Sequence, residues 1–71
     1  MKLHYYPETD SLYIDLSSKT SANSKEVAKG IVLDFDDHGD LVGIDIDQAS
    51  KKLNLTMIET QDLPTGKTRI A

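Results

Sequence analysis

The chain has 71 residues, twelve of them acidic and eight basic, for a net charge of −4, and it contains no cysteine. That length makes a single small domain over 1–71, able to bury only about 60–65% of its unfolded surface. The missing cysteines exclude disulfides and thiolate metal sites. The acidic surplus argues against DNA or RNA as a direct partner, because phosphate neutralisation dominates that kind of binding.

Residues 2–6 and 11–17 read as a first hairpin. Leu3 and Tyr5 alternate with His4 and Tyr6, and Leu12, Ile14 and Leu16 alternate with Tyr13 and Asp15. Side chains on a strand point alternately to its two faces, so this period of two marks half-buried strands. Pro7 and Asp10 between the arms supply turn chemistry: proline presets φ, and aspartate can bond nearby backbone. Ser17 to Ser24 is small and polar and reads as a loop. Residues 25–29 fit a short strand bent at Gly30.

Residues 30–47 hold the strongest pattern and six of the twelve acids. Ile31, Leu33 and Phe35 share one face, with Asp34 and Asp36 on the other. Val42, Ile44 and Ile46 face away from Asp45 and Asp47. Gly39 suits the φ > 0 position of the intervening turn. Gly43 lies inside the second arm, where a glycine signals a bulge or a close approach by a backbone or a ring. Beyond it, Asp47 is placed to cap a short helix near 48–53, with Lys51 and Lys52 at the end the helix dipole favours for cations and Asn54 as a stop. Residues 55–60 read as one more strand, and 61–71 as a flexible tail made basic by Lys67 and Arg69. The expected fold is α+β and mostly β: an antiparallel meander of four or five strands with one short helix.

The run from Tyr5 and Tyr6 through Pro7, Glu8, Asp10, Leu12, Tyr13 and Ile14 resembles the opening of the domain of unknown function 2283, a family of short bacterial and archaeal proteins. The block from Gly30 to Ile46 resembles the family's second conserved stretch, and Asp47, Ala49 and Ser50 resemble its closing acid-Ala-Ser. Tyr6 departs from the family's usual aspartate, and the chain from Lys51 onward follows no family pattern. The family has no assigned chemistry. Some members are encoded beside small candidate toxins, so the resemblance implies an antitoxin-like role.

Three constellations are candidates for function. Asp34, Asp36 and Gly39 echo a calcium loop, but His38 stands at its fifth position, Asp45 replaces the bidentate glutamate at its twelfth, and no flanking helices are expected. An acidic hairpin face that discourages strand-edge pairing accounts for the same residues. Asp34 or Asp36 facing Asp45 or Asp47 across the hairpin would raise each other's pKa, yet a sheet this small leaves little room for a catalytic pocket. His4 and His38 lack any accompanying nucleophile motif. Tyr6 and Tyr13 fall opposite in parity to the core residues, where they pair across strands or form a contact surface.

The sequence therefore points to a non-enzymatic protein-binding module without a cofactor. Its partner surface comprises Tyr6, Tyr13, Asp15, Asp34, Asp36, Asp45 and Asp47, suited to a basic protein. A core of this size supplies only ~3–5 kcal/mol, so a homodimer is expected, and a self-associating assembly module is the alternative. No apolar run approaches the ~20 residues of a membrane span, and residues 1–8 show no signal-peptide pattern. The expected location is the cytoplasm.

Overall fold

The alternation read from the sequence builds five strands, and their pairing sets what each residue faces. The computed structural model describes residues 1–64. The strands are β1 (Lys2–Tyr6), β2 (Ser11–Asp15), β3 (Asn23–Ala28), β4 (Ile31–Phe35) and β5 (Leu41–Ile46), followed by one helical turn, α1 (Ala49–Lys52). All pairings are antiparallel, in the order β1-β2-β5-β4-β3. The fold is α+β and mostly β, as expected, but it is not a simple meander. The connection after β2 carries the chain to the far edge, and the β3-β4-β5 run then returns to place β5 against β2. The two hairpins with the clearest alternation thus join at the centre of the sheet.

Register assigns the faces. Leu3, Ile14, Ile44 and Leu33 are consecutive cross-strand partners, as are Tyr5, Leu12, Ile46 and Ile31. These rows form the apolar face. Leu12, Ile46 and Ala49 of α1 form its buried cluster, with Ile14 and Ile44 packed against them. The opposite face carries the rows Lys2, Asp15, Gly43, Asp34, Ser24 and His4, Tyr13, Asp45, Val32, Glu26. Because α1 packs on the apolar side, the polar face is bare of other described elements.

The helix begins differently from the sequence reading. Asp47 does not cap it: its Oδ1 accepts the N–H of the next residue, Gln48, at 3.0 Å. Gln48 takes the N-cap position in left-handed conformation, with no side-chain cap. The free helical N–H groups are met from 40 residues away. The Asp10 carbonyl accepts Ala49 N–H at 2.8 Å, and the Asp10 carboxylate accepts Ser50 N–H at 3.1 Å and the Ser50 hydroxyl at 2.6 Å. Asp10 has φ of 53°, a conformation that aspartate tolerates better than most residues. The helix stops after Lys52, with Leu53 extended at its C-cap.

The strand expected over 55–60 does not form. Asn54 Oδ1 instead accepts both Thr56 N–H and the Thr56 hydroxyl, at 3.1 and 2.6 Å, which closes a local turn. Residues 53–64 hold no strand or helix and are exposed throughout. Of the tail expected over 61–71, residues 65–71, including Lys67 and Arg69, lie outside the described residues. No helix among the described residues is long and apolar enough to cross a membrane.

Candidate functional site

The polar face is organised by one reach across the sheet. Tyr13 on β2 extends over β5 at Gly43 and donates its hydroxyl to Asp34 Oδ2 on β4, at 2.8 Å. Ser24 on β3 donates to the other oxygen, Oδ1, at 2.6 Å. Four strands are tied by these two bonds and the glycine gap between them. A Cβ on Gly43 would overlap the Tyr13 hydroxyl and ring carbon, so the ring approach anticipated for this glycine is what the structure contains. The alternative, a bulge, is found next to it as well: the β4–β5 register shifts between Asp34 and Phe35. The Tyr13 phenol is pushed up to about 12, first by its bond to Asp34, then by burial and the charges of Asp34, Asp15 and Asp45. A negative phenolate would face carboxylates on three sides, so the neutral form is held.

The expected site residues separate into three groups. Tyr13, Asp15, Asp34 and Asp45 share the polar face. Asp45 is exposed, while Asp15 and Asp34 are half-buried. None of the three carboxylates forms an ion pair with a described lysine or arginine. Tyr6 also lies toward this face, but it does not pair with Tyr13. Its cross-strand partner is Ser11 and that of Tyr13 is His4. Tyr6 stacks instead on His4, two residues earlier, with ring centroids 4.2 Å apart. Tyr6, His4 and Tyr13 thus make an aromatic edge beside the acids.

Asp36 does not belong to the acidic surface. It is 3% exposed, because β4 ends at Phe35 and the chain turns there. Asp36 Oδ1 accepts N–H from both His38 and Asp40, each at 2.9 Å, and so holds the β4–β5 turn closed. Its Oδ2 accepts no hydrogen bond from the described residues and faces Lys19 Nζ at 3.8 Å. The Asp40 backbone bond, then the His38 bond, hold this carboxyl below the usual carboxylate range against the opposing effect of burial. Asp47 sits past the end of β5, exposed, its carboxylate engaged by Gln48.

These positions revise both chemical constellations. Asp34 and Asp36 turn to different partners, so they do not converge as a calcium loop requires. Among the described residues, no three histidine or acidic side chains are placed to hold a metal ion. The hairpin carboxylates do not oppose one another either: Asp34 lies across from Gly43, and Asp45 across from Val32. A shallow cleft lies elsewhere, lined by residues 19–22 and 36–38.

A second cluster escaped the sequence reading. Tyr5 donates its hydroxyl to Asp10 Oδ1 at 2.8 Å, alongside the two Ser50 bonds to the same carboxylate. Ser50, then Tyr5, hold Asp10 below its usual pKa, and the bond to Asp10 raises the Tyr5 phenol. Tyr5, Asp10 and Ser50 are 40 or more positions apart at the extremes, and no local pattern links them.

The family model described as Protein of unknown function (DUF2283) matches residues 2–50. The chain belongs to that family. No curated protein and no solved structure matches it. The stretch that matches ends at Ser50, the last residue of the Asp10 clamp, and it includes both residues of the Tyr13–Gly43 crossing. Asp10, Tyr13, Gly43 and Ser50 each have a structural partner that accounts for the residue type.

Proposed function

We propose that this chain is a non-enzymatic protein-binding module that docks a basic protein on the polar face of its sheet. The observation that supports this reading is the bare face itself: Asp15, Asp34 and Asp45 project beside Tyr13 and the His4–Tyr6 stack, with no described element over them and no described cation paired to them. Complementary charge steers encounter and fixes orientation, while tyrosine contributes rigid, amphipathic contact area. Asp34 enters this surface already oriented by Tyr13 and Ser24, so little side-chain freedom is lost on binding. Asp36 is left out, because its carboxylate holds a turn. Asp47 contributes only charge at the rim.

The same acidic face repels phosphate backbones, which favours a protein over a nucleic acid as the direct partner. An antitoxin-like action, in which a cationic surface is masked, is one form of this activity. The working compartment in this reading is the cytoplasm.

The test compares native purifications of the wild-type chain and an Asp15→Asn, Asp45→Asn double variant. The expected result is a basic polypeptide retained by the wild type, released by moderate salt, and absent from the variant. Retention of the same proteins by both, or of none by either, contradicts the proposal.

A further inference from the structure

We infer that the apolar face of the sheet is the interface with a second copy of this chain, sealed by residues 53–64. This inference is independent of the acidic face. Among the described residues, only Leu12, Val42, Ile46 and Ala49 are buried apolar residues. Leu33, Phe35, Ile14, Ile31 and Ile44 remain half-exposed on the same surface, and Leu3 and Tyr5 are exposed. A chain this short needs more cover than one four-residue helix supplies.

The size of the surface shows what the cover must include. Five strands about 4.8 Å apart and five residues long span roughly 24 by 17 Å, or on the order of 400 Å². A stable interface needs about 800 Å² per partner. The sheet face alone falls short, and α1 already occupies part of it. Residues 53–64 add to it: Leu53, Leu55, Met57, Ile58 and Leu63 are 36–66% exposed and together bring roughly 300–400 Å² of apolar area.

A second copy is the occupant that the charge distribution favours. The strand residues of the apolar face are uncharged except for Lys25, which lies on the edge strand β3 opposite Leu33. Placing these strand rows against their copies brings no acids together, although residues 53–64 carry Glu59 and Asp62 and each chain has a net charge of −4. The acids of the polar face, Asp15, Asp34 and Asp45, then point outward in both copies. A two-fold arrangement makes such a surface complementary to itself, and the copy is available whenever the chain is.

Light scattering coupled to size exclusion, on the full chain, tests this. The expected mass is twice 7.9 kDa. Met57 and Ile58 are 66% and 53% exposed, so Met57→Glu with Ile58→Glu removes little that is buried within the chain. This double variant is expected to weaken dimerisation on the order of a hundredfold. Leu3→Lys is expected to weaken it less, and Asp45→Asn to leave the mass unchanged. A wild-type monomer at every concentration, a Met57/Ile58 variant that stays dimeric, or an Asp45→Asn variant that dissociates overturns the inference.

Discussion

The two faces of this sheet solve the same problem by different means. The polar face is complete within one chain: Tyr13, Asp34 and Ser24 are bonded across four strands, and Gly43 gives the ring its passage. The apolar face is only partly covered: Leu12, Val42 and Ile46 are buried, while Ile14, Ile31, Leu33, Phe35 and Ile44 stay half-exposed and Leu3 and Tyr5 exposed. Order on the first face comes from directional bonds between specific atoms. Order on the second depends on apolar area, which a 71-residue chain has in short supply. A small sheet can therefore order one face with directional bonds while part of its other face stays exposed.

The largest expected effect lies in the small buried cluster. Ile46→Ala removes one of its few members and should destabilise by about 2–3 kcal/mol, read as a fall in denaturant midpoint. A loss under half that size would mean that the cluster is not the centre of the apolar side. Gly43→Ala probes the polar side. The added methyl expels the Tyr13 ring and should cost ~1–3 kcal/mol. The same substitution in a Tyr13→Ala background should cost much less, since the obstruction is gone. Equal costs in both backgrounds would break the proposed lock.

Tyr13→Phe keeps the ring and loses its bond to Asp34, at about 1 kcal/mol. Its pH signature separates the two faces further. The Tyr13 phenol titrates at about 12 in the folded chain, above its ordinary 10.0. The stability this contributes is full below pH 10 and disappears as pH rises toward 12. Wild type should therefore lose stability over that window more steeply than Tyr13→Phe, as measured by denaturant unfolding at each pH. The smallest effect belongs to the clamp at α1. Asp10 titrates below its usual range because Ser50 and Tyr5 bond its ionised form, so its contribution is present above the ordinary carboxylate range and lost on acidification through the lowered value. Ser50→Ala should flatten the acid limb of the stability profile.

The sequence made the paired strands legible because Ile31, Leu33, Ile44 and Ile46 alternate without interruption, and an alternating strand has only one sensible face to bury. Gly43 was legible in part, since a glycine within a strand signals either a bulge or a close approach, and the sequence does not say that Tyr13 makes it. Asp36 was misplaced because it continues the parity of Asp34, whereas the chain has already left the strand and its carboxylate turns to the backbone of His38 and Asp40. Residues 55–60 carry strand-forming side chains, but a strand also needs a ladder partner, and Asn54 diverts the chain into a turn. Asp10 was read as a turn residue bonding nearby backbone. Its partner Ser50 lies 40 positions away, a distance at which periodicity carries no signal.

The concentration dependence of thermal unfolding tests the contrast between the faces most directly. When folding is coupled to dimerisation, melting temperature follows protein concentration by mass action. A melting temperature that climbs from micromolar to hundreds of micromolar wild-type protein, and does so equally for Asp45→Asn, is the result expected of an apolar face completed by a second copy. A melting temperature independent of concentration would show that a single chain completes both faces, and would contradict the account.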